Sequence, residues 1–168
     1  MYFETFQQFK KTLGQLDTWF EIAAAHAKAK SFDPDIYLGL RLAPDQLAFA
    51  RQVQIACDTA KLAASRLTGK PAPQTPDTEK TLADLSARVR ATIAYLDTFT
   101  AQDFEGAATR VVTQPRWEGK MMTGAAYFQQ HALPNFFFHT AHAYALLRHN
   151  GVNLGKRDYL GPLDLRDA

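Results

Sequence analysis

Apolar residues recur through most of the chain at alternating spacings of four and three, the pattern of one buried helix face. The first such run predicts a helix from about Tyr2 to Lys30. Its apolar seam consists of Tyr2, Phe6, Phe9, Leu13, Leu16, Phe20, Ala23 and Ala27. A seam this regular is typical of a helix that packs at a shallow angle in a bundle. Pro34 ends the run, because the residue before a proline is pushed out of the helical region.

A second helix is expected to begin near Ala43, with Pro44 in its first turn, and to end at Gly69. Its apolar face carries mostly small side chains and consists of Phe49, Val53, Ala56, Ala60, Ala63 and Leu67. Gln52 lies at the edge of this face. Asp58 and Lys61 lie nearly opposite it, which favours an exposed ion pair.

A third helix is expected to begin at Thr75, an N-cap residue followed by a proline suited to the first turn. Its apolar side carries Leu82, Leu85, Val89, Ile93, Leu96 and Phe99. Arg88 and Arg90 point away from that side, so we expect both to be solvated.

The pattern changes between Thr100 and Leu133. Residues 109–113 are rich in β-branched side chains, residues 114–120 have the composition of a turn, and residues 121–124 can pair back as a second strand. The segment therefore predicts a short β-hairpin or extended excursion. Residues 127–131 are expected to begin a helical turn that leads into the next helix.

The fourth long helix is expected to run from Pro134 to the stop signal at Asn150 and Gly151. Three consecutive phenylalanines, residues 136–138, point in different directions, which favours burial on several sides. One stripe of this helix is polar and rich in imidazole: Asn135, His139, His142, Leu146 and His149 fall at spacings of four and three. This stripe is the best indication of a functional site.

Three seamed helices, an irregular excursion and a fourth buried helix predict an all-α four-helix bundle. Residues 1–168 are expected to form a single domain, since this length suits one hydrophobic core. The long connections favour some departure from simple up-and-down topology.

Composition removes several function classes. The formal charge is +2 without a long Lys/Arg run, so we expect no nucleic-acid partner. The start of the chain lacks a signal-peptide pattern, and no apolar run is long enough to cross a membrane. Cys57 is the single cysteine, which excludes an internal disulfide and fits a reducing cytoplasm. We therefore expect a cytoplasmic protein without a membrane partner.

Several short motifs together resemble a bacterial family, the domain of unknown function numbered nineteen ninety-three. They are RLAPDQ (41–46), QV (52–53), ACDTAK (56–61), PNFFFH (134–139) and LRHNGV (147–152). The resemblance covers essentially the whole chain and places it in the DinB/YfiT-like metalloenzyme superfamily. It implies a DinB-like four-helix bundle, often a homodimer, and relatives that include metal-dependent, thiol-dependent S-transferases.

The metal site of that superfamily is typically three histidines, one on the second helix and a His-x-x-x-His pair on the fourth. Here the pair is matched by Asn135 and His139, and the second-helix position holds no histidine, with Gln52 as the nearest candidate. The resemblance therefore implies a degenerate metal site of His139, Asn135 and Gln52, with zinc or nickel as the divalent ion. The alternative for His139 and Asn135 is a buried, hydrogen-bonded polar pair.

Two further residues complete the expected ligand pocket. His142 follows His139 by three positions. The two imidazoles therefore either bind one ion together, or His142 lies at a solvent-exposed edge of the groove. Trp117 lies in the predicted turn, where it can line a pocket mouth or a dimer contact. Cys57 has no histidine near it in sequence, which favours a buried structural thiol over a nucleophile.

Two functions remain open from the sequence. The first is a small-molecule-binding bundle with a weakly held divalent metal, acting as a transferase or hydrolase. The second is a metal-free, non-catalytic bundle that dimerises through the small-residue face of its first two helices and serves as an interaction protein.

Overall fold

Four long helices make up most of the protein, which a computed structural model describes over residues 1–167. In chain order the elements are α1 (Tyr2–Ala29), α2 (Phe49–Thr68), α3 (Leu82–Leu96), β1 (Val111–Thr113), β2 (Met121–Thr123), α4 (Gly124–Tyr127), α5 (Leu133–His149) and α6 (Lys156–Leu160). The two strands form an antiparallel hairpin. A π-helical segment, Phe128–Ala132, joins α4 to α5. The expected all-α bundle with a short hairpin before its last long helix is confirmed.

The long helices do not simply alternate in direction. α2 and α3 run parallel. Asp58 in the middle of α2 meets Arg88 in the middle of α3, and Lys70, just beyond α2, lies over the ring of Phe99, just beyond α3. α1 and α3 run antiparallel, as do α2 and α5. Parallel neighbours need a long return connection, which residues 69–81 provide. The order is therefore up-down-down-up.

The predicted seams form the core. All the α1 seam positions except the partly buried Tyr2 are buried, as are all those of α2. α1 and α2 lie at opposite corners of the bundle, since each packs mainly against α3 and α5. The alanine-rich face of α2 therefore points into the core, and Ala56, Ala60 and Ala63 are fully buried. That face is not free to form the dimer contact considered above.

Two helix starts differ from the sequence expectation. α2 begins at Phe49 rather than near Ala43, because Arg41 donates to the Gln46 carbonyl and folds the intervening residues into turns. α3 begins at Leu82 rather than after Thr75. A capping box of Thr81 and Asp84 fixes that start.

The polar residues of α2 and α3 are more buried than their pattern predicts. Lys61 and Arg88 are only 5% and 4% exposed, so the expectation of an exposed ion pair and a solvated Arg88 was wrong. The reason is that α2 packs between α3 and α5, which covers both of its sides. Arg90 is exposed, as expected.

The hairpin is held closely against the bundle at Gly124. A Cβ at this position would lie 1.9 Å from the Ala107 carbonyl oxygen, so the chain can approach this closely only with glycine. The contact fixes the base of the hairpin, at the end opposite its turn. No helix in residues 1–167 has the length and hydropathy needed to span a bilayer.

Candidate functional site

A solvent-facing groove runs between α2 and α5 and consists of three adjoining cavities. The first, of about 220 Å³, is lined by Gln52, His139 and His142 and is called the histidine end. The middle cavity, of about 350 Å³, shares His139 and Phe138 with it. The third, of about 330 Å³, shares His131 and Asn135 with the middle and is called the arginine end. These shared lining residues place the three cavities next to one another along α5, and together they are called the groove.

Helical spacing explains why these side chains line one groove. On α2, Gln52, Thr59 and Arg66 are seven residues apart, so they lie on one face two turns from each other. On the opposing helical run, His131, Asn135 and His139 are four residues apart. Because α2 and α5 are antiparallel, Gln52 meets His139, and Thr59 meets Asn135.

Pro134 accounts for the widened turn beside the groove. It lies one residue inside α5, within a helical run that continues from Gly124 to His149. A proline inside a helix removes one backbone donor and crowds the carbonyl four residues earlier, which favours a local π-helical turn. That turn spans Phe128–Ala132 and carries His131. The helical turn expected before Pro134 is present and continuous with α5.

At the histidine end, Gln52 holds His139 in one protonation state. Gln52 is buried, and its amide donates to the Leu47 carbonyl at 3.0 Å. Its Oε1 therefore faces His139 Nδ1, 2.7 Å away, and Nδ1 must be the donor. The proton sits on Nδ1, and Nε2 keeps its lone pair.

The pKa of His139 is strongly lowered. Burial of the imidazole is the main cause, with smaller contributions from His142 and Arg51, and together they lower the pKa to about 4. His139 is only 7% exposed. At neutral pH the ring is therefore an uncharged hydrogen-bond acceptor.

Asn135 lies one turn from His139 but has a different partner. Its Nδ2 donates to the Thr59 hydroxyl at 2.7 Å, which directs the amide towards α2. The structure thus brings Gln52, Asn135 and His139 to the same groove, while Asn135 and Gln52 bind separate partners on α2.

His142 and Phe138 form the outer wall of the histidine end. The His142 ring donates from Nδ1 to the Phe138 carbonyl at 2.8 Å, and the two ring centroids are 4.0 Å apart. Phe138 is 54% exposed, so the expectation that the phenylalanine run is buried fails at this position. Its exposed ring gives the groove an apolar surface.

The arginine end was not identified from the sequence. Arg66 donates to the Tyr127 hydroxyl at 3.0 Å, and His131 stacks on the Tyr127 ring. Trp117 packs edge-on against both Tyr127 and His131, which places it beside this end and away from His139. Arg116 and Gln114 approach from the hairpin turn.

The spacing of residues along the two helices could have indicated the arginine end. His131 continues the stripe of Asn135 and His139 by one further turn, and Arg66 continues the series of Gln52 and Thr59. His131 was not recognised because the helix was predicted to start at Pro134. Recognising Arg66 requires knowing which face of α2 packs against α5.

The side chains at the histidine end are weak ligands for a metal ion. Gln52, Asn135 and His139 offer one imidazole nitrogen and two amide groups, whereas catalytic zinc sites use three strong protein donors. Within residues 1–167 no three His, Cys, Asp or Glu side chains converge on one point. One imidazole and two amides are therefore a poor ligand set for zinc.

Cys57 is not available as a nucleophile. It is buried in the core, and burial raises the pKa of its thiol to about 12. A thiol with that pKa is un-ionised at neutral pH, so Cys57 is a packing residue.

Comparison with known proteins agrees with this fold. The model of the family described as "Domain of unknown function (DUF1993)" matches residues 1–160. A crystal structure of a DinB family member protein from Shewanella denitrificans is similar at 47% sequence identity and a TM-score of 0.93. The match covers 97% of this chain and 93% of that one. No curated protein matches the sequence.

Proposed function

The chain belongs to the DUF1993 family and has a DinB-like fold, and from that premise we propose that it binds a small molecule in the groove between α2 and α5. The observation that carries the proposal is the state of His139. It is a buried, neutral imidazole whose Nδ1 is bonded to Gln52, and its free Nε2 is left to accept from a ligand.

The groove supplies both polar and apolar contacts. Nε2 of His139 is a single, oriented acceptor, and the exposed ring of Phe138 lies beside it. Ligand sites commonly combine an apolar wall with a few polar groups that fix orientation. A ligand with a hydroxyl or N–H donor next to a flat apolar part matches this end of the groove.

The lowered pKa favours binding over base catalysis. A general base works best when its pKa is near the working pH. With a pKa of about 4, His139 is a weak base at neutral pH, although its lone pair remains a good acceptor. We therefore assign His139 to ligand orientation, and a transferase or hydrolase reaction needs a nucleophile brought by the ligand or co-substrate.

Binding is tested by a fragment screen followed by two-dimensional NMR. We expect neutral aromatic fragments bearing a hydroxyl to shift the Gln52 side-chain amide, and His139→Phe to abolish those shifts by filling the groove. His149→Phe, an exposed position at the end of the same helix, is the matched control and should change nothing. Fragments that map elsewhere, or that bind His139→Phe equally well, would contradict the proposal.

Metal binding is tested separately by elemental analysis of untagged protein after dialysis against a mild chelator. The two amide groups are weak donors, so we expect far less than one zinc or nickel per chain. A stoichiometric metal that survives dialysis and is lost in His139→Ala would overturn this and restore a metal-dependent activity as the leading function.

A second candidate is an interaction protein that forms a homodimer. The outer face of the hairpin favours it, since Val111 and Met121 are 60% and 61% exposed on the same side of the sheet. Sedimentation equilibrium distinguishes the two. A dimer that dissociates in Val111→Lys/Met121→Lys would support the interaction role, and a monomeric wild-type chain would rule it out.

A further inference from the structure

The arginine end of the groove carries positive charge without an acidic partner of its own. Arg66 is half-buried and Arg116 is exposed, and neither has a carboxylate within ion-pair distance in the described chain. By contrast, Arg51, Arg88 and Arg90 each have one. Two guanidinium groups at one cavity without a carboxylate partner favour an anionic ligand.

Hydrogen-bond donors at the same cavity also lack acceptors. Gln114 is 7% exposed, and its Nε2 has no partner within residues 1–167. The Arg116 guanidinium can only donate, so His131 must accept at Nε2 and carry its proton on Nδ1. That Nδ1 is buried and also lacks a partner. A buried donor left unpaired is unfavourable, and an incoming acceptor would relieve it.

The one carboxylate at this cavity has partners elsewhere. An Asp58 carboxylate oxygen lies 2.9 Å from Lys61 Nζ, on the same helix, and 3.0 Å from an Arg88 nitrogen on α3. Its charge is therefore offset before it can oppose an anion in the groove. The pKa of His131 is lowered by burial and by Arg116 and Arg66, which agrees with a positive local field.

We propose that the arginine end binds an oxyanion group, a carboxylate or a phosphate, of the same small molecule that reaches His139. The proposal rests on the proposed function, because it assigns a second contact point in that groove. Arg66, Arg116 and the Gln114 amide would donate to the oxyanion, and Trp117 and Tyr127 would flank it. Eight residues separate His131 from His139, so the ligand spans on the order of 12 Å.

The test is an NMR titration with inorganic phosphate and, separately, acetate, at constant ionic strength. We expect saturable shifts of the Gln114 side-chain amide and of the Arg66 and Arg116 Nε–H signals. Arg116→Gln should weaken binding about tenfold, since it removes one charge-assisted contact from an exposed position. Gln114→Met provides a second variant. Arg157→Gln, an exposed arginine on α6, is the matched control and should leave the affinity unchanged.

The two anions distinguish the chemistry of the group. Tighter binding of phosphate indicates a phosphorylated ligand, and tighter binding of acetate indicates a carboxylic acid. An absence of saturable shifts with both, or equal weakening by Arg157→Gln and Arg116→Gln, would overturn the oxyanion site.

Failure of this inference can be told apart from failure of the proposed function. His139→Phe should leave phosphate and acetate binding intact, because it changes the other end of the groove. Neutral fragments that bind at His139 without any anion binding would overturn the oxyanion site alone. Anion binding without fragments at His139 would support the oxyanion site and contradict the role assigned to His139.

Discussion

α2 buries polar side chains on two sides, and the two sides differ in whether their charges are paired within the chain. Towards α3, Arg88 is surrounded by Glu79 at 2.8 Å and by Asp58 and Asp77, each at 3.0 Å. We call these residues, with Lys61, the Arg88 cluster. Towards α5, the groove leaves His139 Nε2 open, and Arg66 and Arg116 line it without a carboxylate in ion-pair distance within residues 1–167. Burial alone therefore does not indicate function. Charges that are matched within the chain indicate structure, and unmatched charges lining a cavity indicate a ligand.

The largest expected effect lies in the Arg88 cluster. Arg88→Met removes the common partner of three carboxylates, and breaking a buried pair by removing one member destabilises a protein by about 3–5 kcal/mol. Urea unfolding at pH 7 measures the loss. Arg90→Met is the control, because Arg90 is 65% exposed and pairs with Asp17 at the surface, where about 1 kcal/mol or less is expected. Similar losses in both variants would contradict a structural cluster.

The groove should appear instead in the pH dependence of stability. The folded-state pKa of His139 is about 4, below its ordinary value of 6.5, so the unfolded chain binds the proton more strongly. Stability from this group is full above pH 6.5 and is lost as pH falls towards 4, amounting to about 2 kcal/mol between pH 7 and pH 5.

Comparing the wild type with His139→Gln isolates that term, since both chains share every other titrating group. We expect the urea-derived free energy of the variant to fall by about 2 kcal/mol less over this range. Parallel curves for the two chains would show that His139 titrates normally in the folded protein.

The Gln52–His139 hydrogen bond should have a smaller, pairwise effect. A double-mutant cycle with Gln52→Met and His139→Phe is expected to give a coupling energy of about 1 kcal/mol, the usual net value of one buried hydrogen bond. Urea unfolding of the four proteins provides it. Strict additivity would mean that the bond adds nothing to the folded state, and Nδ1 would no longer be fixed as the donor.

Asp58 is where the two sides of α2 meet, and it should give the smallest stability change. It is about a third exposed, and Arg88 keeps two other carboxylates. The buried Lys61 keeps the Thr75 hydroxyl and can donate to the amide oxygen of the new asparagine, so Asp58→Asn should cost less than about 1 kcal/mol. Removing its charge should also tighten phosphate binding at the arginine end by roughly threefold. Weaker phosphate binding in this variant would mean that Asp58 is part of the ligand contact.

The fold was predictable because its long helices have unbroken seams. The α1 positions from Phe6 to Ala27 repeat at four and three and are all buried, so local pattern and tertiary structure agree. The helix starts were less predictable. Pro44 and Pro76 both satisfy the rule for a first turn, yet Arg41 and the Thr81 capping box determine where α2 and α3 begin.

The candidate site was predictable only at one end. The stripe of Asn135 and His139 lies on a single helix, so its spacing is visible in the sequence. Gln52 could be added because the family resemblance points to that position of α2. The arginine end depends on the hairpin folding back to bring Gln114 and Arg116 beside Arg66, a contact between segments far apart in the chain. Helical periodicity carries no information about such a contact.

The protonation state of His139 is the most direct test of the binding role assigned to the groove. Nitrogen chemical shifts of its imidazole, measured by NMR from pH 7.5 to pH 4.5, report the charge and the tautomer together. Because the pKa is about 4, we expect a neutral ring with its proton on Nδ1 down to about pH 5 and only partial protonation at pH 4.5. A ring that carries its proton on Nε2 at neutral pH would offer the ligand no acceptor, and a ring that protonates near pH 6.5 would not be the buried neutral imidazole on which the binding role depends. Either result would contradict the proposed function.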